Sequence, residues 1–318
     1  MRRPLLLAAL PAAALAIAAT PAGAHRMWLL PSATTLADTG QYVSVDAAVS
    51  NDLFYADHVA MRMEQVKVWA PDGSPATPEN AATARYRSTF DVKVDKAGTW
   101  KIGVEQNSVN GSFKVNGEEW RVGGRRGPPG PGGPGGPGGP GAGAPRPAGA
   151  APAAGPGSAP GGPGGPGGPP RNSVASVADI PANATDVKLT EVISRNYTFV
   201  TAGAPTETVF APTGKGLEMQ PVTHPDALVA DEDGRFRFLV DGKPAANIKV
   251  EVVPGSKKFR DSEGAQELTT GADGLLTVKW PVPGVYWISA STTDAKPSAP
   301  RATDRRMAYT MTVEVPAP

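Results

Sequence analysis

Short segments in which polar and apolar residues alternate run through most of this chain, and turn residues separate them. Residues 41–49 (QYVSVDAAV) are typical. A period of two puts successive side chains on opposite faces of a strand, whereas a helix needs a period near 3.6. The pattern therefore predicts an all-β chain of antiparallel β-sandwiches. It recurs at residues 65–70, 86–94, 98–105, 111–122, 187–193, 197–201, 236–240, 248–253, 268–280, 284–290 and 309–315.

Turn residues predict where the strands connect. Asn110-Gly111 is expected to join two strands in a hairpin, and Asn116-Gly117 to form a second tight turn, because both residue pairs tolerate the required backbone angles. Pro71-Asp72-Gly73, Asp241-Gly242-Lys243-Pro244 and Asp273-Gly274 carry similar turn chemistry.

Residues 127–170 consist almost entirely of Gly, Pro and Ala in PGG-like triplets. The triplets lose their register between 141 and 160, so a collagen triple helix is disfavoured. A flexible insertion is the preferred interpretation, because this composition can bury no apolar surface. We expect the strands at 187–201 to close the first sandwich, so the insertion lies inside a domain of residues 25–212. Residues 213–318 are expected to form the second sandwich, whose strand and turn order resembles prealbumin-like or collagen-adhesin B-type modules.

The first 24 residues have the organisation of a secretory signal. Two arginines precede an apolar run at residues 5–19, and Ala22-Gly23-Ala24 fits an A-x-A cleavage site. Cleavage after Ala24 would export the protein, by our prediction to the periplasm, with His25 as its first residue. No other apolar run approaches the ~20 residues that span a bilayer, so no membrane span is expected after cleavage.

Composition excludes several functions. The 31 basic and 30 acidic residues nearly cancel, which gives no electrostatic basis for binding nucleic acid. The absence of cysteine removes disulfides, thiolate metal ligands and a lipoprotein anchor. The sequence also lacks G-x-S-x-G, H-E-x-x-H and Walker motifs. We therefore do not expect an enzyme of a conventional class.

The chain has only three histidines, and none lies inside an alternating segment. His25 would start the mature chain, His58 lies between predicted strands, and His224 lies near the start of the predicted second domain. The α-amine and imidazole of a terminal histidine can chelate one ion through two nitrogens, which suits Cu(II) or Ni(II). If all three residues converge, the site offers an amine and three imidazoles to Ni, Co or Cu. The alternative is that His58 and His224 are two unrelated surface residues.

Three carboxylates lie close to these histidines in the sequence: Asp52, Asp57 and Asp226. A carboxylate that accepts the second N–H of a ligating imidazole fixes its orientation. These residues would then be partners or additional ligands of the metal site. They would equally fit as turn and capping residues.

Several motifs carry a resemblance to a known family: His25-x-x-Trp28-x-x-Pro31, NDLFY at residues 51–55, GAPT at 203–206, GLE at 216–218, PVTHP at 221–225 and GVYW at 284–287. The chain resembles a periplasmic family catalogued as a domain of unknown function, whose members are often labelled nickel-uptake or cobalt-transport components. The resemblance implies an exported two-domain β-protein that handles a divalent transition metal, with His25 and His224 as the matching positions.

Three functions follow as hypotheses. The preferred one is a non-enzymatic periplasmic protein that binds Ni, Co or Cu through His25, His58 and His224, and buffers the ion or presents it to an inner-membrane transporter. The second is a histidine-brace copper oxidoreductase, which needs His25 and one further histidine. The third is a structural or adhesive module without metal.

Overall fold

The computed structural model describes residues 25–123 and 172–318. The predicted signal (1–24) and the predicted insertion (127–170) lie outside these residues. The described chain forms strands and short 3-10 helices, with no α-helix among its elements, which confirms the all-β prediction. None of the helices in this part of the chain has the length and apolarity to cross a bilayer.

The strands, in chain order, are β1 (Arg26–Pro31), β2 (Thr35–Leu36), β3 (Gln41–Ser50), β4 (Val59–Ala60), β5 (Val66–Trp69), β6 (Pro75–Ala76), β7 (Glu79–Thr83), β8 (Ser88–Val94), β9 (Gly98–Val115), β10 (Glu118–Val122), β11 (Ser173–Val174), β12 (Thr185–Ala202), β13 (Leu217–Pro221), β14 (Asp233–Val240), β15 (Lys243–Pro244), β16 (Lys249–Pro254), β17 (Gln266–Thr269), β18 (Leu275–Lys279), β19 (Gly284–Asp294) and β20 (Asp304–Val315). The 3-10 helices are Met63–Gln65, Val177–Asp179, Thr208–Phe210, Pro225–Ala227 and Lys257–Phe259.

The strands form three sheets. The first has the order β1-β3-β8-β7, with β4 beside β3. The largest has the order β11-β10-β9-β12-β20-β19-β16-β17, and β2, β5 and β6 join it off this path. The third has the order β13-β14-β15, with β18 on β14. Most pairings are antiparallel, whereas β2 pairs with β12, and β10 with β11, in parallel.

Alternation along the strands explains which face is buried. In β3, Val43, Val45 and Ala47 are fully buried and the residues between them are more exposed. They share one core with Phe90 of β8 and with Trp100 of β9. Apolar burial of this kind is the main favourable term in folding.

Contacts divide the described chain into two compact units. The first contains residues 25–105, 195–291 and 308–318, and therefore all three histidines. The second contains residues 106–123, 172–194 and 292–307, and its core includes Phe113, Val122, Ile180 and Leu189. The expected domain boundary between 212 and 213 stays a prediction.

One predicted turn is confirmed and another is wrong. Asn116 and Gly117 have φ values of 52° and 85° and connect β9 to β10 as a tight turn. Asn110-Gly111, in contrast, lies inside β9, which runs unbroken from Gly98 to Val115. A Cβ at Gly111 would lie 2.0 Å from the Lys188 carbonyl oxygen. This glycine therefore permits a close approach of backbone and not a change of direction.

Gly103 fills a similar role in the first unit. A Cβ there would lie 2.2 Å from the Asn196 carbonyl oxygen and 2.4 Å from Cδ1 of Tyr197. We expect Gly103→Ala to lower the free energy of unfolding by about 1–3 kcal/mol, because the neighbouring backbone must shift. Urea unfolding of the folded protein measures this loss.

Gly271→Ala is the matched control, because its Cβ would come no closer than 3.3 Å, to a carboxylate oxygen of Asp273. We expect a change within about 0.5 kcal/mol there. Equal stability of the two variants would contradict the close-approach role of Gly103.

Candidate functional site

His25 and His58 meet at one edge of the first sheet. His25 directly precedes β1, and Arg26 lies opposite Ser50, the last residue of β3. His58 ends the loop that returns from β3 to β4. The two rings are stacked in parallel, with their centroids 3.7 Å apart and their planes 1° from parallel. Both residues are exposed, so the structure brings together two of the three predicted ligands at the surface.

Hydrogen bonds hold the loop that carries His58. The Asp57 carboxylate accepts from the backbone N–H of Asn51 at 2.9 Å and from its side-chain amide at 3.3 Å. The Ser50 hydroxyl donates to the carbonyl of Asp52 at 2.5 Å and accepts from the Trp28 indole at 2.7 Å. These bonds fix the backbone on both sides of the pair. Asp57 therefore closes a turn, the second of its two predicted roles.

The other acidic groups near the start of β1 form ion pairs. The guanidinium of Arg26 bonds to Glu251 at 2.8 Å and to Glu263, and this contact lowers the pKa of Glu263. Asp52 pairs with Lys257 at 3.0 Å, which raises the pKa of that lysine. The predicted partner Asp52 is thus engaged with a cation, and its hydrogen bonds do not go to an imidazole.

His224 has a local structural role. Its Nδ1 accepts from the backbone N–H of Asp226 at 3.1 Å and caps the helix Pro225–Ala227. Because Nδ1 accepts, Nε2 of a neutral ring carries the hydrogen, and it lies 3.1 Å from the Thr99 hydroxyl. The ring also packs edge-on against Phe210, with centroids 5.4 Å apart. A metal ion would have to displace one of these two hydrogen bonds.

His224 lies at the opposite end of β1 from His25. The Asp226 carboxylate accepts from the Thr35 hydroxyl at 2.5 Å, and Thr35 follows the end of β1. A six-residue strand is ~20 Å long, so His224 does not join the pair. Within residues 25–123 and 172–318, no group of three or more His, Asp or Glu residues is placed to hold a metal ion.

The stacked pair can offer two imidazole nitrogens. A ring nitrogen donates its lone pair in the plane of the ring, so two parallel rings do not aim at one ion. One ring must turn about its side-chain torsions before both bind the same metal, and exposure permits that rotation. His25 would add its α-amine if the chain begins at this residue. The chemistry of this donor set fits a nitrogen-preferring transition metal.

A second polar cluster in the structure was not predicted from the sequence. Lys101, Glu105, Arg195 and Glu218 line one cavity in the first unit. Lys101 and Glu105 occupy positions of an alternating segment that face away from the core of Trp100 and Ile102. The sequence signal for this cluster is the presence of charged residues at two positions on one face of a strand, with Gly103 between them.

Fold and site together define an all-β protein with an exposed histidine pair at a sheet edge. A family model described as "Domain of unknown function (DUF4198)" matches residues 22–294, and the chain belongs to this family. No curated protein matches the sequence.

Three solved structures are distantly similar to the chain. The chain is 11% identical to trypsin-activated alpha-2-macroglobulin from Escherichia coli, with a TM-score of 0.21, over 93% of this chain and 16% of that one. It is 12% identical to the human OSCAR ligand-binding domain, with a TM-score of 0.17, over 92% and 100%. The D0-D1 domain of Intimin is also 12% identical, with a TM-score of 0.18, over 90% and 97%.

The capping role of His224 predicts a stability effect. We expect His224→Ala to lower the free energy of unfolding by about 1–2 kcal/mol, because it removes a helix cap and a partner of Thr99. Thermal or urea unfolding measures the change. His58→Ala, at an exposed position, is the control and should stay within about 0.5 kcal/mol. Equal effects of the two substitutions would contradict the assignment.

Proposed function

We propose that this protein is an exported, non-enzymatic metal-binding protein that carries Ni, Co or Cu at the pair formed by His25 and His58. The observation that supports it is the contact of the two rings, 3.7 Å apart, at the point where the mature chain is predicted to begin. The resemblance to nickel-uptake and cobalt-transport components favours the same class of cargo.

The donor set selects the class of metal. Signal cleavage after Ala24 would leave a free α-amine on His25, so that this residue and His58 offer three nitrogens. Nitrogen ligands suit Cu(II), Ni(II) and Co(II), whereas Ca(II) and Mg(II) require several oxygen ligands. His224 is not included, because its two ring nitrogens are engaged by Asp226 and Thr99.

The exposure of the pair favours transfer over storage. Both rings lie at the surface, so that a partner protein can reach a bound ion directly. A site with few protein ligands also exchanges its ion readily. Rapid exchange is what a protein needs if it buffers a metal or presents it to an inner-membrane transporter. Protons compete for the same nitrogens, so affinity should fall as the pH is lowered.

Metal affinity of the mature protein, which starts at His25, tests the proposal. We expect His58→Ala to weaken the binding of Ni(II), Co(II) or Cu(II) by about tenfold or more, equivalent to a loss of 1.4 kcal/mol. His224→Ala, measured on folded protein, should change affinity by less than about twofold and is the matched histidine control. Competition with a chromogenic chelator gives both values.

A one-residue extension separates the role of the terminus from that of the fold. An alanine placed before His25 turns its amine into a peptide nitrogen and removes one ligand. We expect the strongest binding to disappear while the unfolding curve stays the same. Unchanged affinity in both the extended protein and His58→Ala would overturn the proposal.

A second candidate is a histidine-brace copper oxidoreductase. The structure favours it in one respect: only two of the three histidines meet, which leaves coordination positions open for a reactant. We expect the copper-loaded mature protein to oxidise no polysaccharide in the presence of peroxide. Release of oxidised oligosaccharides that is lost in His58→Ala would favour this candidate over a metal carrier.

A further inference from the structure

A small cavity in the first unit contains hydrogen-bond donors that have no hydrogen-bond partner among the described residues. It lies between β9, β12, β13 and β20 and the segment of residues 209–213. Its volume is about 30 Å³, and one water needs at least about 10–15 Å³ on the same measure. The cavity thus has room for two water molecules or for one group of similar size, such as a carboxylate.

Lys101 contacts two aromatic rings through its ammonium group but has no acidic partner among the described residues. It lies opposite Trp69 in the pairing of β5 with β9, and its Nζ is 4.4 Å from the centre of the indole and 5.0 Å from that of Tyr197. The Lys101 ammonium has no hydrogen bond or salt bridge to the described residues. Burial lowers the pKa of Lys101, and the charge of Glu105 opposes that shift.

The carboxylates of the cavity are already bonded. Glu105 accepts from the Tyr197 hydroxyl and from Lys67 Nζ, the latter at 3.2 Å. Glu218 accepts from the backbone N–H and hydroxyl of Thr213 at 2.8 and 2.7 Å. These bonds satisfy much of the acceptor capacity in the cavity, so a metal cation or an amine would have to displace existing partners.

The second uncommitted donor is Tyr309. Its ring packs edge-on against Tyr197, with centroids 5.6 Å apart, and its hydroxyl has no hydrogen-bond partner within the described parts of the chain. Burial raises the pKa of Tyr309, so the hydroxyl keeps its proton. Arg195 donates to the carbonyls of Leu217 and Lys215 at 3.0 and 2.9 Å, and its guanidinium lies 3.8 Å from the Glu218 carboxylate, so these two charges offset each other.

We propose that this cavity binds the carboxylate group of a small organic acid, with the Lys101 ammonium as its ion-pair partner and the Tyr309 hydroxyl as a hydrogen-bond donor. Charged hydrogen bonds of this kind are the strong ones in proteins. The cavity is partly open to solvent, and Phe210 and Met219 belong to its lining, so the carboxylate can fill it while a short hydrocarbon body extends toward the opening. The proposal is independent of the histidine pair.

The NMR signals of methionine methyl groups measure the binding. The chain has seven methionines, and the buried Met219 lines the cavity. ¹³C-methyl labelling and the variant Met219→Leu assign its signal. Sodium propionate is the probe, with sodium chloride at equal ionic strength as the reference. We expect a saturable shift of the Met219 signal with a Kd of about 1 mM, and no saturable shift with chloride.

Substitutions then test whether Lys101 and Tyr309 are the two groups that bind the carboxylate. Lys101→Met keeps the length of the side chain without its charge, and we expect it to weaken propionate binding at least tenfold. Lys93→Met, at an exposed position of β8, is the matched control and should bind as the parent does. Tyr309→Phe preserves the ring packing and should weaken binding several-fold, which provides a second test if Lys101→Met does not fold.

Two results would overturn the proposal. One is the absence of a saturable Met219 shift up to 100-fold above the expected Kd. The other is unchanged affinity for propionate in folded Lys101→Met or, if that variant does not fold, in Tyr309→Phe. Because no metal is present in this titration, its failure leaves the proposed metal-binding function untouched.

Discussion

The antiparallel pairing of β1 with β3 determines where His25 lies. It runs from Arg26 opposite Ser50 to Pro31 opposite Val45, and it buries Trp28 almost completely. A shift of this pairing by one residue would turn Trp28 to the other face of the sheet and break its bond to Ser50. The position of His25 beside the loop of His58 is therefore a consequence of core packing.

Much of the fold could be predicted, because alternation reports directly on burial. The predicted strands at 41–49, 236–240 and 309–315 lie within the longer strands β3, β14 and β20 of the structure. Turns were harder to predict. A glycine at a chain reversal and a glycine that allows close approach of a neighbouring backbone cannot be distinguished in the sequence. Asn116-Gly117 is the first kind, and Asn110-Gly111 is within β9.

The site was only partly predictable, because it depends on which strand ends meet. The scarcity of histidine and its position outside the strands singled out His25 and His58, but the same two criteria also selected His224. The difference is local: the ring of His224 caps the residues that follow it, a role that a Thr-His-Pro motif does not reveal. Lys101 was missed because a charged residue at an outward-facing strand position normally faces water.

Acidic side chains offset the positive charge of Arg26 beside the histidine pair. A cationic Arg26 next to His25 would by itself repel a metal ion, but Glu251 and Glu263 both pair with it. With Lys257 and Asp52 included, these five side chains carry two positive and three negative charges. The Trp287 indole also donates to the Met27 carbonyl at 3.1 Å, which holds the start of β1 in place. The backbone at the pair is thus held in place, while the two exposed rings stay free to turn toward an ion.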